Sequence, residues 1–179
     1  GSRQDLKIYR INKAQINDSV VTPEIISYYY SDQSDFTSRP LDNPFDCEAM
    51  IIEADTIYLF MKDWTSDYTR IYALPAIPGN YAAIPRQKLK VNGLVTASAY
   101  SSDKRILYLL GYKDYIPFVS ILDEFIPYKQ FRGIIRQISF TNNFGYQTEG
   151  IALAGKNEII VSSEKGKTIA ALYKVIFDK

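Results

Sequence analysis

Two sets of short strand-like segments recur along this chain with the same offsets, and that shared spacing limits the fold more than any other feature. The first set is Cys47-Glu48-Ala49-Met50-Ile51, Val95-Thr96-Ala97-Ser98-Ala99 and Thr148-Glu149-Gly150-Ile151-Ala152. Thr96 lies 48 residues after Glu48, and Glu149 lies 53 after Thr96. The second set is Ile71-Tyr72-Ala73-Leu74, Val119-Ser120-Ile121-Leu122 and Leu172-Tyr173-Lys174-Val175, again stepping by 48 and then 53 residues. Two landmarks in step define a repeat with one loop of variable length. Strand repeats of this period point to β-propeller blades of four antiparallel strands, about 50 residues each.

Alternation of apolar and polar residues predicts strands almost throughout. A first pair spans 6–12 and 24–30. Four strands follow at 47–54, 56–62, 69–75 and 82–91, and four more at 94–100, 105–112, 117–123 and 133–140. A last group has three, at 149–154, 158–163 and 169–177. The polar stretch 31–46, with Pro40 and Pro44, reads as a long loop. Asn92-Gly93, Asn142-Asn143 with Gly145, Ser101-Ser102-Asp103 and Gly155-Lys156-Asn157 read as turns. The one stretch with helical character, 122–131, is interrupted by Pro127.

The expected fold class is therefore all-β: a single propeller domain or fragment over 3–179. It divides into a half blade at 6–30, whole blades at 47–91 and 94–140, and a three-stranded blade at 149–177. By register, 6–12 matches the third strands, so the units are out of phase with the two ends. An incomplete ring, with open sheet edges suited to self-association, is the expectation. Gly1-Ser2 reads as a tag remnant, so the native start and any signal peptide are expected upstream.

Fifteen Tyr suit a pleated, half-buried framework. Net charge is +1, which supplies no electrostatic footprint for nucleic acid. No apolar run approaches the roughly 20 residues of a membrane-spanning helix. The chain has no His, which removes Ser-His-Asp and Cys-His nucleophile pairs, and one Cys, which removes internal disulfides. Cys47 reads as a small buried apolar residue.

In a propeller, first strands line the central channel, which places Glu48, Thr96 and Glu149 there. Carboxylates at Glu48 and Glu149 suit a hard cation such as Ca²⁺, or an acid/base pair. The competing structural role is to lock neighbouring blades through hydrogen bonds. No other cofactor is expected, and Thr96 breaks any symmetric metal ring. The second strands end in Lys62-Asp63-Trp64, Gly111-Tyr112-Lys113 and Ser162-Ser163-Glu164-Lys165. Lys62, Trp64, Tyr112 and Glu164 form a candidate ligand-binding rim, since aromatic platforms with a few polar groups suit sugars or peptides. The competing role for Trp64 and Tyr112 is packing between blades. Asp63, Ser66 and Asp67 make an acidic turn too sparse for an EF-hand. Gly166-Lys167-Thr168 lacks the upstream glycine and following helix of a phosphate loop.

In order along the chain, FDCEAMI (45–51), IYLFMKDW (57–64), RIYAL (70–74), LVTASAYSSDKRILYLLGY (94–112), QTEGIAL (147–153) and VSSE (161–164) carry a resemblance. The chain resembles secreted or periplasmic β-propeller proteins of unknown function related to the NHL-repeat and SdiA-regulated groups, over residues 3 to 177. More distantly it is similar to phytase-like and esterase-like propellers. The resemblance implies an extracytoplasmic, six-bladed propeller with an additional N-terminal portion, which opens on an Asp-Trp-Glu strand and is absent here. The expected function is non-enzymatic binding or scaffolding. The alternative is a hydrolase with a metal in the channel.

Overall fold

The computed structural model describes residues 1–140, 147–165 and 169–177, and over these the protein is all-β. Thirteen strands follow in chain order. The first six are β1 (Leu6–Arg10), β2 (Glu24–Tyr30), β3 (Asp46–Glu53), β4 (Thr56–Lys62), β5 (Tyr68–Pro75) and β6 (Gly79–Lys90). Then come β7 (Leu94–Ser101), β8 (Ile106–Lys113), β9 (Ile116–Leu122) and β10 (Ile135–Ser139). The last three are β11 (Thr148–Gly155), β12 (Glu158–Ser163) and β13 (Ala171–Ile176). These bounds agree with the alternation pattern to within a few residues. Residues 122–131 contain no helix; they run from the end of β9 through turns. The Asn142–Gly145 turn and Gly166–Thr168 lie outside the described residues.

Three antiparallel meanders form in sequence: β3-β4-β5-β6, β7-β8-β9-β10 and β11-β12-β13. The first strands neighbour one another in order, with β7 between β3 and β11. Each meander buries a face against the next. Tyr58, Phe60, Ile71 and Ala73 of the first sheet pack on Leu107, Leu109 and Leu122 of the second. On its other face the second sheet offers Tyr108, Leu110, Val119 and Ile121 to Ile159 and Val161 of the third. Period-2 alternation of large apolar residues on both faces is what makes such stacking possible.

The hairpin β1–β2 departs from expectation. Residues 6–30 do not stand apart as a half blade, because β2 runs parallel to β6 and joins the first sheet at its edge. The reason lies in β6, which starts at Gly79, earlier than its alternation suggests, and serves two partners. Residues 79–83 pair with β2, and Ile84 to Lys90 pair with β5. Pro85, which donates no ladder bond, sits beside a register shift within the β5 pairing, where Tyr72 faces Pro85 and Ile71 faces Gln87. The sheet curls, and Ile26, Tyr28 and Tyr30 fold over Leu59, Met61, Tyr72 and Leu74. Arg70 pins the preceding loop, donating to the Pro44 carbonyl at 2.6 Å and stacking 4.4 Å from the Phe45 ring centre.

The outer face of the third sheet differs from its counterparts. Register aligns Phe60, Leu110 and Ser162, and likewise Ala73, Ile121 and Lys174. Where earlier sheets carry apolar side chains, this face carries Ser162 and a Lys174–Glu158 ion pair at 2.9 Å. Leu172 and Ile176 remain exposed beside them.

Candidate functional site

The same irregularity occurs once near the start of each meander. Cys47 pairs with Met61 and Ala49 with Phe60, leaving Glu48 as the extra residue of a β-bulge. Val95 pairs with Gly111 and Ala97 with Leu110, leaving Thr96. Thr148 pairs with Ser163 and Gly150 with Ser162, leaving Glu149. The three residues that share a repeat position are thus three bulge residues. A bulge bends its strand and re-aims one side chain out of the alternating pattern. Just past the residues opposite each bulge come Lys62 at the end of β4, Tyr112 next to the end of β8 and Glu164 after β12.

What the pairs do depends on their chemistry. In the first sheet Lys62 donates to both oxygens of Glu48, each at 2.9 Å. The lysine is buried and the glutamate half-buried. Burial lowers the affinity of the Lys62 amine for its proton, but the hydrogen bond and charge of Glu48 more than offset this, so its pKa ends above the ordinary value. The ammonium also lies 5.0 Å from the Trp64 ring centre and 5.3 Å from that of Tyr112. Cation–π attraction of this kind is strongest where water is excluded. Trp64 is held at its edge as well, its Nε1 donating to Asp46 at 2.9 Å.

In the second sheet Thr96 is buried, and its hydroxyl donates to the Thr148 carbonyl of the third. Ser98 donates to the Met50 carbonyl of the first at 2.9 Å. The Thr96 hydroxyl is thus committed to a contact between sheets.

In the third sheet Glu149 faces acids. Burial first, then repulsion from Glu48, lifts its carboxyl to about 7; Lys62 opposes the rise and Glu164 adds to it. One ammonium thus serves two converging carboxyls, and a proton neutralises the second. Among the described residues no three Asp, Glu or Cys side chains converge in a way that could hold a metal ion. Cys47 is partly buried, and desolvation pushes its thiol up to about 12, the range of an inert thiol.

Beside this cluster three turns enclose an open depression of about 420 Å³. Residues 63–67 follow β4, Gly93-Leu94 open β7, and Tyr112 to Asp114 close β8. Trp64 and Tyr112 both line it, so two of the four rim residues share a cavity, with Lys62 against their rings. Glu164 is exposed near Glu149 and is absent from the lining. Asp63 organises the loop, accepting from the Thr65 amide at 3.0 Å, the Thr65 hydroxyl at 2.6 Å and the Ser66 hydroxyl at 2.9 Å. Lys113 reaches across to Asp67 at 3.1 Å and ties the two sheets together. The β8–β9 turn places Asp114 and Tyr115 at φ of 51° and 63° with no glycine, a strained backbone at the rim. The sequence reading singled out Asp63 and Asp67 only to dismiss a calcium loop. It named Lys113 in a strand-end cluster without a role and missed Asp46 and Asp114, whose importance comes from contacts between distant segments.

No protein-family profile and no curated protein sequence matches the chain. No helix among the described residues is long and apolar enough to cross a membrane.

Proposed function

We propose that this chain is a non-enzymatic, extracytoplasmic binding module built as an arc of a β-propeller. Its ligand site lies at the end of the sheets that carries the three bulges. The observation that carries the reading is the repeated bulge. The framework re-aims one side chain at the same place in each sheet, and two of the three converge with Lys62, Trp64 and Tyr112. Support for the propeller is the order β3, β7, β11 of neighbouring first strands and the face-to-face packing of successive meanders. The extracytoplasmic setting rests on the resemblance set out above. Ca²⁺ between Glu48 and Glu149 has less support, because Lys62 already occupies both oxygens of Glu48.

A hydrolase reading draws on one specific observation: Glu149 holds its proton to about pH 7 beside Glu48. Such a split between two carboxyls is how glycosidases and related enzymes assign acid and base. Assays with phytate and with 4-nitrophenyl acetate separate the two. The binding reading expects no turnover above buffer. Turnover abolished by Glu149→Gln would replace it with the hydrolase. Self-association through the edge of β13, which has no strand partner beyond β12 among the described residues, belongs to the same proposal. Sedimentation showing only monomer at high concentration would remove that part.

A further inference from the structure

The depression beside the cluster supports a statement about ligand class, which rests on the binding reading above. We propose that the cavity between the 63–67 loop and the Tyr112–Asp114 turn is a saccharide site, taking one pyranose ring against Trp64 and Tyr112. Its volume of about 420 Å³ falls at the small end of ligand pockets. Its walls are of two kinds. Trp64 supplies a partly exposed ring and Tyr112, 8% exposed, a small apolar area beside it, while Thr65, Asp67, Lys113 and Asp114 supply donors and acceptors around them.

A pyranose has the matching division, with C–H groups over its faces and hydroxyls around its edge. Its faces pack on an aromatic platform, and its hydroxyls both donate to carboxylates and accept from an ammonium. Other classes match less well. An anion would meet Asp63, Asp67 and Asp114 against the single ammonium of Lys113. A bare metal ion would need convergent oxygens, and no such group of three exists among the described residues. A purely apolar ligand would strip water from the polar rim without replacing its hydrogen bonds. The platform is also set in advance. Asp46 fixes the indole edge, Lys62 covers an aromatic face, and Asp63 folds the loop, so little ordering cost falls on binding.

Trp64 is the only tryptophan in the chain, so intrinsic fluorescence reports on this cavity directly. The full chain is titrated with the methyl glycosides of β-glucose, β-galactose, α-mannose and β-N-acetylglucosamine. Tetramethylammonium chloride and sodium phosphate serve as counter-probes. At least one glycoside should change Trp64 emission saturably, with a dissociation constant of roughly millimolar order. Asp114→Asn, on an accessible turn, should weaken that constant about fivefold or more while leaving the melting temperature in place, and Thr65→Val should weaken it too while also removing the loop's hydroxyl bond to Asp63. Silence of all four glycosides up to roughly 0.1 M would overturn the inference. A response confined to tetramethylammonium or phosphate, or glycoside binding unmoved by both substitutions, would do the same. Turnover of phytate or ester would sink the binding reading without altering these titrations. Silent glycosides sink the saccharide inference alone.

Discussion

Glu149 gives the sharpest test of the cluster, because its protonation links folding to pH. An ordinary glutamate carboxyl titrates near 4.5, and here burial and Glu48 raise it to about 7. The folded chain therefore holds a proton that the unfolded chain releases. Stability rises with pH only where the unfolded state binds more protons; here the folded state does. The contribution is fully present below about pH 4.5, falls as pH rises through 7, and is constant above. Fully expressed, a displacement of this size is worth about 3 kcal/mol. Glu149 is partly exposed, and solvent screening reduces the expected effect to about 1 kcal/mol. Glu149→Gln keeps the shape and stays uncharged at every pH. The variant should match the parent near pH 4.5 and exceed it at pH 8 by about 1 kcal/mol, or about 3 °C in melting temperature. Urea unfolding followed by Trp64 emission and far-ultraviolet circular dichroism, from pH 4.5 to 8.5, gives the difference curve. Taking the difference cancels the other carboxylates. Parallel curves for the two proteins would refute the argument that Glu149 confronts Glu48 in the folded state.

Other substitutions probe the elements that build the site. Lys62→Met leaves Glu48 without its ammonium beside Glu149 and should cost about 2 kcal/mol at pH 8 and less at pH 5, measured by thermal melts at both. Thr96→Val removes the hydroxyl that bonds the Thr148 carbonyl; about 1 kcal/mol is expected by urea denaturation, with an unchanged m-value. At Gly111 a Cβ would run into the Leu94 carbonyl oxygen, so Gly111→Ala must part β7 from β8. A loss of about 2 kcal/mol should follow, with faster amide exchange in β7. Phe60, fully buried between the first two sheets, should cost about 4 kcal/mol as Phe60→Ala in the same denaturation assay.

Strand identity was legible because alternation is local. Thr56–Lys62 and Glu158–Ser163 coincide with the reading from residues alone, since each is bounded by turn residues and carries apolar side chains in phase. The pairing of β2 with β6 was not legible. It joins strands separated by three others, and nothing in Glu24–Tyr30 marks a parallel partner. The cluster was half legible. Shared spacing put Glu48, Thr96 and Glu149 at one position, but the propeller expectation assigned Lys62 to a ligand-binding rim and Glu48 to a channel. The bulge removes that separation, because it shifts the phase of one strand against the other and turns Glu48 toward the lysine. Glu149's confrontation with Glu48 needs the third sheet brought round toward the first, a distance in sequence that no local pattern spans.

Because a bulge residue has no partner in the ladder, its identity can change without moving any strand by one place. Glu, Thr and Glu at the three sites exemplify that freedom within one chain. Each position is a socket whose occupant can be exchanged while the scaffold around it holds. A library randomised at 149 would therefore sample other recognition chemistries at small folding cost, whereas the buried Thr96 and the Lys62-paired Glu48 are already committed. Ala49 and Ala97, buried one place further along their strands, would not tolerate the same treatment.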